Sequence, residues 1–303
     1  MPTCHIVDAF PAFLEFWPSI RHKTIDEQID AWETGYMAGW PDLLAKQQAC
    51  YAEDGEDWRQ IAREMVFPHL AERLAGMEEA HGHLPALCEP VYARAQRMLG
   101  FGSDMVAVIY AGIGCGAGWV TTYQGMPAIL FGLENAAEEG WTGPEVLTGL
   151  VAHEIGHVAH HHWRQQRGLP NGTGPWSQLY SEGFAQRCEH LILEGDSWHM
   201  ARRMEGWQDW CQANEEWLAA EFLRAVDGGE SLRPFFGSWY DIQGWKQTGY
   251  YLGHRVIRRM EASMDLHQIA LLDEIEPLLR KELDHLTAGG PGQGAPFCPG
   301  EHG

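Results

Sequence analysis

The stretch TGPEVLTGLVAHEIGHVAHHHW, residues 142–163, governs how the rest of the chain is read. Thr142 as N-cap, Pro144 in the first turn and Glu145 three residues after the cap supply what the first free amides of a helix need, so a helix is expected from here to about 163. Leu147, Leu150, Val151, Ile155 and Val158 recur at helical spacing and form one apolar face. His153, Glu154 and His157 lie off that face. At 3.6 residues per turn, His153 and His157 stand one above the other, near enough for both imidazoles to reach one tetrahedral ion at about 2.0–2.1 Å. Glu154 projects beside them, where a carboxylate can take a proton from water acidified by the ion and pass it to a leaving amine. Gly149 and Gly156 each cost a helix interior roughly 1 kcal/mol relative to Ala, which points to close approach by another segment.

A third ligand is expected at Glu182, within YSEGFA at residues 180–185, early in a helix capped by Ser177 and reaching Leu193 before Gly195. Two histidines and one carboxylate leave a fourth position open, as catalytic zinc sites require. The competing reading of Glu182 is a surface acid favoured by the dipole in a first helical turn, and Glu189 on the same face is the reserve ligand. Other zinc arrangements fit worse. A metzincin would need Gly at 160 and His at 163, where this chain has His160 and Trp163, and the inverted His-x-x-Glu-His order is absent. His160, His161 and His162 read as a solvated or supporting cluster. One Zn2+ is the expected cofactor, although two imidazoles and a carboxylate also suit iron, cobalt or nickel.

Around this segment the texture changes. Residues 24–99 show helical spacing through Ile25, Ile29, Trp32, Ile61, Met65 and Leu70, with breaks expected at Pro41, Pro68 and Pro85. Three β-rich runs follow, at 105–110, 119–123 and 128–131, and predict a small antiparallel sheet. The run AGIGCGAG, residues 111–118, lacks the Gly-Lys-Ser/Thr ending of a phosphate loop and reads as a flexible hairpin. Beyond 195 a Trp-rich helix is expected over 196–226, with further helices at 240–261 and 264–285. The fold class is therefore α+β and mainly helical. The division is an N-terminal helical region, 1–103, a catalytic region, 104–286, and a disordered tail, 287–303.

Composition bounds the partners. With 42 acidic against 21 basic residues the formal charge is -21, a field that repels phosphate backbones and anionic membranes, so no nucleic-acid or membrane partner is expected. No basic, apolar leader opens the chain and no run of 18 apolar residues occurs. Seven cysteines without a Cys-x-x-Cys pair suit a reducing compartment, and a cytoplasmic location is expected.

The pair HEIGH (153–157) and SEGFA (181–185), followed by TGYYLG (248–253), resembles the YjaZ-like family of predicted Zn-dependent proteases, a branch similar to gluzincins. The likeness covers about residues 105–260. It implies a zincin-like core, a third ligand from the Glu-Gly-x-Ala helix and a peptide or protein substrate. It also implies a Tyr or His donor to the oxyanion, for which Tyr250 is the first candidate, with Tyr251 and His254 behind it. By the same likeness an edge strand holds the peptide, expected here at 128–131, and GLEN at 132–135 resembles an aminopeptidase motif in which Glu134 would hold a substrate amine. The expected activity is peptide hydrolysis by an ion-activated water with Glu154 as base. The alternatives are a non-catalytic metal-binding or interaction protein and a hydrolase of a non-peptide amide.

Overall fold

The computed structural model describes residues 2–53 and 55–288. The expected disordered tail lies, from 289 onward, outside the described residues. Four strands form one mixed sheet: β1 (Cys4–Asp8), β2 (Met105–Tyr110), β3 (Trp119–Tyr123) and β4 (Met126–Gly132), in the order β1-β2-β4-β3. The first half of the chain supplies helices α1 (Phe10–Phe16), α2 (Ile25–Ala31), α3 (Pro41–Glu53), α4 (Trp58–Ile61) and α5 (Leu70–Leu99). Then come α6 (Leu133–Glu139), α7 (Pro144–Gln166) and α8 (Pro175–Leu193). The remainder is α9 (Trp207–Ala213), α10 (Glu215–Asp227), α11 (Arg233–Phe236), α12 (Thr248–Met260), α13 (Leu266–Ala270) and α14 (Glu276–Thr287). This is a mainly helical α+β chain, as the sequence predicts. No helix among the described residues is long and apolar enough to cross a membrane.

The sheet differs from expectation in two ways. It is mixed, because β1 pairs with β2 and β2 with β4 in parallel, and β3 with β4 alone is antiparallel. Gln124 and Gly125 explain the antiparallel pair: both have positive φ, which suits the tight two-residue hairpin turn joining Tyr123 to Met126. That hairpin places β3 outside β4, so β4 is a central strand and can lie parallel to β2. The run 111–118 is consequently a crossover from β2 to β3 and not a hairpin. Secondly, the region 1–103 opens with a strand, β1, whose five residues are too few for a clear alternation.

Pro85 does not break the chain, since α5 runs through both Pro85 and Pro90. An interior Pro costs roughly 3 kcal/mol. Burial of Met77, Ala80, Leu84, Cys88, Val91, Tyr92 and Ala95 offsets it. The other two prolines behave as punctuation, Pro41 opening α3 and Pro68 lying in a 3-10 turn. The expected helix over 196–226 is divided into a 3-10 turn, α9 and α10.

The chain divides into two compact units, residues 1–162 with 188–202, and residues 163–187 with the described residues from 203 onward. In the first, the sheet is buried by its own apolar strands: all of β2 is buried, as are Ala128 to Gly132 of β4. In the second, buried Leu218, Phe222, Val256, Ile257, Leu279 and Leu283 form the helical core.

Candidate metal centre

Helix α7 starts at Pro144, with the Gly143 carbonyl accepting from the Leu147 amide at 3.1 Å, one residue later than a Thr142 cap implies. Residues 150–160 are buried on every side, so α7 is a core helix and its polar residues are enclosed together with its apolar ones. His153 is 2% exposed, Glu154 5% and His157 9%. The imidazoles of His153 and His157 stand edge-on, 5.0 Å apart between centroids, the one-turn proximity expected from their spacing.

Glu154 is held from the sheet side. A Cβ added at Gly118 would lie 2.8 Å from Glu154 Cγ and 2.9 Å from its Oε1, so only a glycine backbone fits against this carboxylate. Gly118 ends the glycine run immediately before β3, and the run is tied down along its length. Glu134 accepts from the Gly112 amide at 2.7 Å and the Gly114 amide at 3.0 Å, and Asn135 Oδ1 accepts from the Gly116 amide at 3.1 Å. Trp32 donates to the Ala111 carbonyl at 3.1 Å and Tyr51 to that of Ile113 at 2.8 Å. The glycines are needed because side chains and backbone crowd both ends: an added Cβ at Gly112 or Gly132 would meet Glu134 within 3.1 Å.

This changes the reading of Glu134. Its side chain is 0% exposed and both oxygens accept backbone amides, so it anchors the loop and offers nothing to a substrate amine. Burial pushes its carboxyl above the ordinary value, against the opposing pull of the Gly112 and Gly114 amides. The strand nominated for peptide binding changes too: β4 is paired on both sides, and the edge next to Gly118 is β3.

Helix α8 starts at Pro175, with the Gly174 carbonyl accepting from the Gln178 amide at 3.0 Å, so Ser177 is its third residue and not its cap. It ends at Leu193, as the sequence predicts. Glu182 is half-buried on this helix. Its neighbour Gly183 lies directly on Gly253 of α12, and a Cβ added at Gly253 would sit 2.5 Å from the Leu179 carbonyl oxygen. Two of the motifs singled out in the sequence are thus one backbone-to-backbone crossing.

His153, His157 and Glu182 each offer a ligand atom, and the three atoms lie within 4.8 Å of one another. Donors about 2.0–2.1 Å from a tetrahedral zinc are themselves roughly 3.3 Å apart, which lies inside that limit. Two imidazoles and one carboxylate suit zinc with one position left open.

Behind His153 lies a cluster of which the sequence pointed only to Glu189, as the reserve ligand. Glu189, 0% exposed, accepts from His199 Nδ1 at 2.7 Å and from Ser197 Oγ at 2.6 Å, and its Oε2 stands 3.8 Å from His153 Nδ1. Burial pushes the Glu189 carboxyl up, but the charge and hydrogen bond of His199, with His153 and Ser197, outweigh it and hold the group below the ordinary value. His199 carries no signal in the sequence. It arrives because α8 ends in a tight reversal in which Glu194 takes positive φ and the Gly195 amide donates to the His190 carbonyl at 3.1 Å. The close approach expected at Gly149 is found here, with an added Cβ 2.7 Å from His199 Cβ and 2.9 Å from Glu189 Oε1.

Of the three candidate oxyanion donors, all on α12, Tyr251 is committed elsewhere: its buried hydroxyl donates to Glu215 Oε2 at 2.7 Å. Tyr250 is half-buried with its ring 5.9 Å from that of Phe236, and His254, one turn later on the same helix, is buried. No family model, curated protein or solved structure matches this chain.

Proposed function

We propose that the chain is a zinc-dependent peptidase with a zincin-like core, in which His153, His157 and Glu182 hold one Zn2+ and Glu154 is the general base. The observation that carries this reading is the convergence of those three ligand atoms within 4.8 Å. A bound zinc ion would supply a Lewis acid that polarises a scissile carbonyl and lowers the pKa of water towards about 7.

The chain's own residues supply the rest. The Glu154 carboxylate, fixed against Gly118, accepts a proton from the attacking water and returns it to the leaving nitrogen. Its burial excludes bulk water from that transfer. Strand β3 presents an edge that begins beside Glu154, and an extended peptide adding to it would run past the base, which favours a peptide over a compact amide substrate. Tyr250, with His254 as reserve, donates to the oxyanion. The net charge of -21 supports a peptide partner over nucleic acid or an anionic membrane, and the cysteine pattern supports a cytoplasmic location.

The test is zinc content per chain together with hydrolysis of a broad peptide library by the wild type and Glu154→Gln. One zinc per chain in both proteins, with activity in the wild type reduced about 10²–10⁴-fold in the variant, is expected. Equal activity, or none in the wild type, overturns catalysis. Zinc binding without any hydrolysis would leave a metal-binding protein.

A further inference from the structure

The cluster behind His153 has the right chemistry to act on the ion without touching it. Glu189 is completely enclosed, yet each oxygen has a partner: Oε1 accepts from Ser197 Oγ at 2.6 Å and from the His199 amide at 3.2 Å, and Oε2 faces His199 Nδ1 at 2.7 Å and His153 Nδ1 at 3.8 Å. His153 Nδ1 therefore faces a carboxylate, which leaves Nε2 as the ring atom for a metal. Packing fixes the same arrangement. His199 stands edge-on to His153 and to Trp141, each at 5.0 Å between centroids, and Gly149, one turn before His153 on α7, leaves the space the cluster occupies.

His153, Glu189 and His199 also bring ligand atoms within 4.8 Å, so a second ion has to be considered. The 2.7 Å between His199 Nδ1 and Glu189 Oε2 favours a hydrogen-bonded pair over two ligands of one ion. That is a hydrogen-bond length, shorter than the roughly 3.3 Å between two donors on one tetrahedral zinc.

We infer that Glu189 is a positioning residue for the metal: braced by Ser197 and His199, it sets the orientation and the Nδ1-protonated tautomer of His153, so that Nε2 faces the ion. The inference rests on the metal site proposed above. A carboxylate facing the outer nitrogen of a ligating imidazole, here at 3.8 Å and so by charge and not by a hydrogen bond, favours the proton on that nitrogen and holds the ring's orientation. Loss of an outer partner of a metal ligand lowers metal affinity about 10–100-fold. Here the brace comes from a reversal that follows α8, so the helix that carries Glu182 also carries, two turns on, the group that orients His153.

The experiment is zinc affinity and stoichiometry of the full chain, measured by competition with a chromophoric chelator, for the wild type, Glu189→Gln, Ser197→Ala, His199→Ala and His157→Ala. The visible spectrum of the cobalt-substituted proteins and thermal unfolding of the zinc-free proteins are recorded in parallel. One ion per wild-type chain is expected, with affinity about 10–100-fold weaker in Glu189→Gln and a changed cobalt spectrum. Ser197→Ala, which leaves the carboxylate in place with its His199 bonds, is expected to weaken zinc several-fold and change the cobalt spectrum, with a smaller loss of zinc-free unfolding temperature than Glu189→Gln. If Glu189→Gln does not fold, Ser197→Ala decides by the same criterion. Wild-type affinity and spectrum in both variants overturn the inference, and so does a second ion per chain that His199→Ala removes. Wild-type affinity in His157→Ala overturns instead the metal-site reading on which it rests.

Discussion

Gly183 of α8 and Gly253 of α12 touch through their backbones, so closely that a Cβ on Gly183 would overlap the Gly253 carbonyl group. The crossing fixes α8 one residue from Glu182. Small residues at such a contact do for helices what no larger pair can, letting the two backbones meet without a side chain between them. Gly183→Ala is therefore expected to destabilise the protein by about 1–3 kcal/mol and to weaken zinc binding as α8 is displaced. Urea denaturation and a zinc titration measure the two effects, and wild-type values in both would show that the crossing does not position Glu182. Gly249→Ala, whose added methyl would meet the Phe236 ring first, should cost less, because a ring can move.

Gly118→Ala separates base from ligands. The added methyl would reach the Glu154 side chain at 2.8 Å and push the carboxylate from its place, while His153 and His157 keep theirs. Peptide hydrolysis is expected to fall about 100-fold or more with zinc stoichiometry unchanged. Loss of zinc together with activity would mean that the contact supports the whole site and not the base alone.

Glu134→Gln tests the loop anchor. An amide nitrogen placed where an oxygen now accepts leaves the Gly112 or Gly114 amide without its acceptor inside the core, a loss of about 1–3 kcal/mol. Stability is read by denaturant unfolding. If Glu134 held a substrate amine instead, the variant would keep wild-type stability and show a raised KM for peptides with a free N-terminus.

Tyr250→Phe and Tyr251→Phe should part ways. Removing the Tyr251 hydroxyl abandons Glu215 and is expected to lower stability by about 1–2 kcal/mol with little change in turnover. Removing the Tyr250 hydroxyl is expected to lower kcat about 10²–10³-fold with stability unchanged. A silent Tyr250→Phe would pass the donor role to His254, tested by His254→Ala.

Chelation should destabilise the wild type and leave His157→Ala indifferent. An ion at 100 times its Kd stabilises the folded state by about 2.7 kcal/mol, so thermal unfolding with and without chelator reads the site directly. An equal response in both proteins would place the metal elsewhere.

What could be read before the fold was known were local regularities. The apolar runs at 105–110 and 119–123 are strands β2 and β3 with the same limits, and the adjacent rings of His153 and His157 follow from one turn of helix. Local periodicity carries such information because neighbours in sequence dictate it. Strand β1 was not legible, since five residues with a mixed burial pattern resemble any short polar-apolar segment.

The sequence by itself determined the types of the site residues, the helix that presents two of them, and the glycines that mark where segments would approach. Tertiary structure decided which segments those are: Gly118 against Glu154, Gly183 against Gly253, Gly149 against His199. It also decided that the sheet is mixed and that the carboxylate of Glu189 faces His153. A glycine announces only that room is needed, and a buried carboxylate only that donors must be near. Which partner fills the room depends on contacts between residues far apart along the chain, and those exist only once the core has closed.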